Sequence, residues 1–479
     1  MHQITRRHFL AATAGASMLA PWSRVLGANE DIRVVVLGVN NIGRTHMLGF
    51  PKIPGVRVTG ICDVDSAVLG KRAEEFSKIH GPLKTYDDLR HVFDDPDVDV
   101  VVIGMPNHWH GLATVWGCQA GKDVYVEKPC SHNIWEAGQM HKAATKYNRI
   151  VQVGIQRRSN PEWKEFFQKV HEGLLGKLNV VRAFYLSRRN SIGRPNGPLK
   201  PPATVNHNLW SGPASTELKR VKYHYDWHWF WNTGNGELGN NGPHILDLAR
   251  WAVNGTTLPE KTLSIGGRYT WDDNGETPNT HLIRYEFDAA PVVFEITDLP
   301  TAKGKKDRRS FEGLSYGIVV EGEKGKFVGF DKGKLYDPDG KVIREFNKGS
   351  GPDGGRQHHR ENFIKAVRSR KTSDLNCPIH DGHLSTALCH LGNISHRLGE
   401  SVSFGQMKEQ VKDSVPMREA AARMTRQLSA NEVSLDTMTV QLGSRLTLDT
   451  KTEKFIKNPA ANALLKREYR APFIVPEQV

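Results

Sequence analysis

The sequence predicts an α/β protein in two parts: an N-terminal doubly wound parallel sheet, then a C-terminal α+β domain with a large, mostly antiparallel sheet. Three observations carry this expectation. Up to Val153, short β-branched runs alternate with helical stretches, the pattern of a parallel sheet covered on both faces. Past Gly154 the alternation gives way to consecutive strands separated by turn residues. A glycine turn also follows the first strand, at the sheet edge where open α/β sheets bind ligands.

In the first part, 32–37, 56–62, 98–103, 124–127 and 150–153 read as buried parallel strands. Between them 66–79, 86–93, 110–120 and 134–147 read as helices. In the second part a helix over 161–173 leads into strands at 180–186, 264–271, 281–287, 292–297, 317–321 and 325–330. The Pro- and Gly-rich stretch 190–208 reads as a long loop near a site entrance. A helix begins at Arg356, and another spans 379–398. The expected organisation is a leader at 1–30, a nucleotide-binding domain at 31–155, a substrate domain at 156–400 and an extension at 401–479.

The turn after the first strand reads Gly38-Val39-Asn40-Asn41-Ile42-Gly43. Gly38 permits a tight turn, and Gly43 lets the next helix pack closely with its N-terminal amides facing a pyrophosphate. The middle glycine of the usual pattern is replaced by Asn40, a residue type tolerant of a left-handed backbone. Asp63 ends the second strand, 20 residues after Gly43. A carboxylate there accepts from both ribose hydroxyls and repels a 2′-phosphate, which selects NAD over NADP. The whole arrangement is Rossmann-like.

Two further segments carry a family resemblance. Met105-Pro106-Asn107-His108-Trp109-His110 follows one strand, and Glu127-Lys128-Pro129 ends the next. In this combination the chain resembles the Gfo/Idh/MocA oxidoreductases over roughly residues 32–400. The resemblance implies that Pro106, Asn107 and His110 flank the nicotinamide side of the cofactor. It implies that Glu127 holds the nicotinamide end and that Lys128 reaches both the nicotinamide ribose and the reacting hydroxyl.

The second domain holds the densest chemical signal, Tyr223-His224-Tyr225-Asp226-Trp227-His228-Trp229-Phe230-Trp231. Aromatic rings interspersed with polar groups suit the apolar faces and hydroxyl rims of a sugar, so Tyr223, Tyr225, His228 and Trp229 are candidate substrate contacts. A glycine-rich turn then starts a helix, with His244 near its N-terminus and Asp247 one turn on. A helix N-terminus keeps an imidazole neutral and ready to act as base. The resemblance gives the His244 position the role of accepting the proton of the oxidised hydroxyl. Family dehydrogenases commonly place an Asp four residues earlier; here Asn240 stands, which cannot relay a proton. His224 and His228 are not assigned to a metal, because their spacing in an aromatic loop is weak support for one.

The N-terminus, Thr5-Arg6-Arg7-His8-Phe9-Leu10 followed by an apolar stretch to Ala20, reads as a twin-arginine export signal. That stretch falls short of the roughly 20 residues needed to span a bilayer as a helix. The expectation is a protein exported through the twin-arginine machinery, to the periplasm or beyond, with its cofactor already inside. The formal charge of +13 owes part of its excess to the leader and part to the run Lys303–Arg309, read as a solvated loop rather than a nucleic-acid surface. Five cysteines at irregular spacing, without a Cys-x-x-Cys pair, read as free and mostly buried thiols.

The leading expectation is hydride transfer on a sugar or related polyol by tightly held NAD, with His244 as base and Lys128 at the oxygen. The chain also resembles the NAD-dependent glycosidases of glycoside hydrolase family 109, which lack the same Asp and return the hydride after cleavage. That resemblance implies a cofactor contact at Gln156 and sugar contacts at Tyr185 and Tyr225. A non-catalytic sugar-binding protein is the third reading. A homo-oligomer, dimer or tetramer, is expected from an exposed substrate-domain sheet.

Overall fold

The computed structural model of the chain describes residues 31–347 and 353–479. The expected export leader lies outside the described residues. Six parallel strands form the first sheet: β1 (Ile32–Leu37), β2 (Val56–Cys62), β3 (Lys84–Tyr86), β4 (Val100–Ile103), β5 (Asp123–Val126) and β6 (Val151–Val153), in the order β3-β2-β1-β4-β5-β6. Both faces are covered. Val34 and Val36 of β1 join one apolar cluster while Val35 and Leu37 join another, so the strand reads as an unbroken apolar run. The strand order reverses between β1 and β4, which leaves a crevice beyond their carboxyl ends. The sequence did not reveal β3. It is a three-residue edge strand, Lys-Thr-Tyr, with no apolar run to mark it.

The second sheet begins with β7 (Leu178–Leu186), β8 (Lys261–Gly267), β9 (Thr280–Glu286) and β10 (Val292–Thr297). It continues with β11 (Tyr316–Gly322), β12 (Gly325–Gly329), β13 (Gly333–Tyr336) and β14 (Val342–Phe346). Its order is β14-β13-β12-β11-β7-β10-β9-β8, extended at the far edge by β16 (Thr439–Leu442) and β15 (Glu400–Ser403). The β7–β10 pair is parallel and its other neighbours along this path are antiparallel. Alternate residues point to opposite faces. Val292, Phe294 and Ile296 bury against the helices Pro161–His171, Gly242–Ala252 and Ile379–Arg397, whereas Val293 faces the other way.

That other face is partly covered from within the chain. Helix Val415–Ala430 of the C-terminal extension lays Met417, Ala420, Ala421, Met424 and Leu428 over Val180, Ile265, Leu282 and Val293. Arg423 and Arg309 clamp Glu295 between them, so the end of the basic run is a packed strap, while 303–308 is exposed as expected. All five cysteines are free and buried. Among the described residues no helix is long and apolar enough to cross a membrane.

The last residues of the extension return to the first domain. Phe473 packs edge-on against Trp109, with ring centroids 5.4 Å apart, and Val475 joins the same core. Gln139 Nε2 donates to the carbonyl of Glu477, and Arg470 reaches the carbonyls of Gly212 and Asn208. The extension is therefore a strap across both domains. Phe473→Ala is expected to cost about 3–5 kcal/mol of first-domain stability in a denaturant titration. A loss below about 0.5 kcal/mol, the range of surface substitutions, would mean that the strap is not docked in solution.

Candidate functional site

A cleft of about 540 Å³ opens beyond the carboxyl ends of β1, β2, β4 and β5 and is roofed by the second domain. Its floor is the turn after β1. Gly38 has φ +76°, and a Cβ there would lie 2.9 Å from Met105 Cγ. A Cβ on Gly43 would lie 1.7 Å from the carbonyl oxygen of Gly38, so only glycine lets the helix Asn41–Gly49 approach the turn. Gly43 thus acts from behind the cleft, while Gly38, Asn40, Asn41 and Ile42 line it. The expected left-handed backbone is shifted by one residue. Asn40 is extended (φ −87°) and caps the helix through its side chain, whereas Asn41 has φ +39°.

Asp63 lines the cleft with both oxygens already oriented: Oδ2 accepts from the amide of Val39 at 2.9 Å and Oδ1 from that of Asp65 at 3.0 Å. Each oxygen keeps a further lone pair for a ligand hydroxyl. Burial raises the Asp63 pKa, opposed by these amides. Capping of the following helix falls instead to Asp65, which accepts from the amides of Ala67 and Val68. The second oxygen of Asp65 takes His224 Nε2 at 2.9 Å, which ties the aromatic loop of the second domain to the first. Sequence reading did not find this tie, because each residue has a local role and no spacing joins them.

Pro106, Asn107 and His110 all line the cleft. Asn107 is buried and its Nδ2 has no protein partner among the described residues. His110 is spanned between the carbonyls of Pro129 (2.6 Å) and Met105 (2.7 Å), so it braces the loop and offers the cleft its ring rather than a free nitrogen. Glu127 is likewise held from behind. It accepts from His46 Nε2 at 2.9 Å, and Arg360 Nε donates to His46 Nδ1 at 3.2 Å. Arg360 thereby fixes the imidazole tautomer that donates to Glu127. Burial is the largest influence and opposes the Glu127 charge, but the His46 hydrogen bond and the nearby charges of Lys128 and Arg356 together outweigh it and hold the carboxylate well below its usual range. His46 and Arg360 lie 314 positions apart, and no motif announces them.

Lys128 and His244 face the same cleft. Lys128 Nζ donates to the carbonyl of Asn240 at 2.8 Å, and burial lowers its pKa against the pull of Glu127 and Glu237. His244 sits in the first turn of the helix Gly242–Ala252, with Nδ1 unpartnered among the described residues. Burial first, then the charge of Lys128, holds His244 well below 6.5. Its imidazole is neutral at ordinary pH. Desolvation and nearby cations dominate here, where sequence reading credited the helix terminus. Asn240 keeps its side chain on Glu237, which also receives Asn241 and Arg189.

Of the aromatic candidates, Tyr185, Tyr225 and His228 line the cleft, as does Gln156. Tyr225 accepts from Arg189 at 2.9 Å through its hydroxyl. His228 stacks on Trp227 with centroids 3.6 Å apart and gives its Nδ1 proton to the carbonyl of Tyr225. Three candidates are corrected. Tyr223 is buried away from the cleft, hydrogen-bonded to His207 and stacked under Arg220. Trp229 is buried with Arg189 over its ring. Asp247 is fully buried, held by Arg158 at 2.8 Å and by Ser385. Each fills a structural need that local spacing does not reveal. In their place Trp210, Trp227, Tyr316, Arg157 and Arg356 complete the lining.

Residues 32–155 match the profile of the family described as an oxidoreductase family with an NAD-binding Rossmann fold. A levoglucosan dehydrogenase of Pseudarthrobacter phenanthrenivorans is 26% identical over 251 residues, covering 50% of this chain and 57% of that protein. An α-N-acetylgalactosaminidase of Shewanella oneidensis is 29% identical over 214 residues, covering 39% of this chain and 47% of that protein. The chain thus spans about half the length of these curated relatives. The WlbA dehydrogenase of Bordetella pertussis, solved with NADH and UDP-GlcNAcA, shares the fold with a TM-score of 0.57 at 18% identity, over 77% of this chain and 97% of that one. The glycine turn, the oriented Asp63, the unpartnered Asn107 amide and the Gly43 approach all fit such a dinucleotide. The first domain of this chain thus matches the Gfo/Idh/MocA family as an NAD-binding Rossmann domain.

Proposed function

We propose that the protein is an NAD-dependent oxidoreductase that removes or restores a hydride at a hydroxyl-bearing carbon of a sugar or related polyol. The observation that supports it most is the convergence of a neutral His244 and the Lys128 ammonium on one cleft with Asp63. Asp63 would take the adenosine ribose hydroxyls and Asn107 a polar edge of the cofactor. Bound NAD supplies the hydride acceptor. His244, uncharged and unpartnered at Nδ1, takes the hydroxyl proton, and Lys128 stabilises the oxygen as it becomes a carbonyl. Tyr185, Tyr225, Trp227 and His228 form the polar and aromatic wall against which a sugar ring would rest. The similarity to a levoglucosan dehydrogenase supports a sugar as substrate.

The same proposal includes export through the twin-arginine leader with the cofactor retained, so that reduced cofactor is reoxidised in place by a second substrate. Purified protein, given a panel of sugars without added nucleotide, should develop absorbance at 340 nm and lose it with an acceptor sugar. Absence of any such change across the panel, with nucleotide present in the protein, would count against net oxidoreduction.

A second reading is favoured by Asn240, whose side chain is bound to Glu237 and carries no proton to relay, and by the similarity to an α-N-acetylgalactosaminidase. In it the hydride is returned after the aglycone leaves, and the cofactor ends as it began. Release of nitrophenol from nitrophenyl glycosides without acceptor would select that reading.

A further inference from the structure

Behind the cleft lies a second cavity of about 390 Å³, lined among others by His132, Trp231, His390, Asn393, Arg397 and Arg467. Its residues come from four distant segments: the stretch after Lys128, the segment 231–235, the helix Ile379–Arg397 and the C-terminal strap. Three buried polar atoms have no protein partner among the described residues and line this one space: His132 Nε2, His390 Nε2 and Asn393 Oδ1. Their residues are 8%, 4% and 4% exposed. Orphaned buried polar atoms each cost about 1–3 kcal/mol, so three around one cavity point to a ligand.

Their chemistry can be assigned one by one. Arg467 can only donate, so its 3.4 Å contact makes His132 Nδ1 an acceptor and leaves Nε2–H as a donor. His390 is bonded to the backbone of Ser131, and with Nε2 unpartnered that bond belongs to Nδ1–H; Nε2 is therefore an acceptor. Asn393 gives its Nδ2 to the carbonyl of Asn235 at 3.0 Å, which leaves Oδ1 as a second acceptor. At the rim Arg397 stacks on Trp231, 5.4 Å from the ring centroid. It has no hydrogen bond or ion pair among the described residues.

Two acceptors and one donor match hydroxyl groups, which both give and accept. A fully ionised inorganic anion has no proton for His390 and Asn393. A neutral sugar leaves the Arg397 guanidinium unpaired, since Glu276, whose charge favours it, is held by Lys219 and the Trp231 amide. We propose that this cavity is a second binding site for a hydroxylated carboxylate of the sugar-acid class. Hydroxyls bond to His132, His390 and Asn393, the carboxylate pairs with Arg397, and the carbon chain lies on Trp231. Six carbons fit the space. The site is separate from the proposed reaction and does not depend on it.

The test is calorimetric titration of the full-length protein with D-gluconate, with D-glucose and sulfate as comparators. Saturable binding of one gluconate per chain is expected, at least 10-fold tighter than glucose or sulfate. Arg397→Ala, a change at the exposed rim, should weaken it at least 10-fold, and His390→Phe should do the same. His244→Ala, a change in the main cleft, should leave it intact. Absence of saturable binding at 20 mM gluconate, or equal binding of sulfate, would overturn the proposal. So would binding that survives Arg397→Ala but is lost in His244→Ala, since the acid would then occupy the main cleft.

Discussion

Replacing His244 by alanine is expected to lower kcat by about 10²–10⁴-fold with the bound nucleotide unchanged, because the base is removed and the cofactor contacts stay. Lys128→Ala should cost a comparable factor, and the double variant much less than the product of the two, as for groups that act as a unit. The pH profile supplies a sharper readout. Burial and the Lys128 charge hold His244 below 6.5, so the base stays neutral until the pH falls through that lowered value. The acid limb of kcat/KM should accordingly lie below pH 6.5. Burial also lowers Lys128 from 10.5, so the alkaline limb, where the ammonium is lost, should lie below pH 10.5. An acid limb above 6.5, or one that survives in His244→Ala, would assign the base to another group.

Gly43→Ala is expected to empty the cofactor site. The new Cβ would lie 1.7 Å from a backbone carbonyl, and no side-chain rotation relieves that contact. The helix Asn41–Gly49 must withdraw from the turn, which removes its amides from the position a pyrophosphate needs. Overpacking of this kind costs about 1–3 kcal/mol or more. Nucleotide content after purification should fall at least 10-fold, with Tm lowered. A Gly43→Ala protein that retains its nucleotide and turns over normally would contradict the assigned role of this turn.

The first domain was legible because its signals are local. The β1 run, the turn at Gly38–Gly43 and the Pro106 and Lys128 segments each fall within about ten residues, and the fold brings them together at one edge. Tyr225 and His228, which line the cleft, stood out for the same reason, within a segment dense in rings. Tyr223 and Trp229 of that segment were misassigned, because a loop alternates between cleft and core in a way sequence does not show. Asp247 lies on the face of its helix that packs against Arg158 and Ser385, and both partners are far off in the chain. The His46–Arg360 brace, the Asp65–His224 tie and the C-terminal strap were hidden for one reason: each joins segments more than a hundred residues apart. Helix Val415–Ala430 also covers part of the second sheet, whose exposed face had suggested a partner subunit.

One measurement bears most directly on the whole account: denaturing the purified protein and identifying the released nucleotide by chromatography. Close to one NAD per chain is the expected result, from a cleft with Asp63 at the ribose and a turn closed by Gly43. A protein that releases no nucleotide, or releases NADP instead, would contradict it.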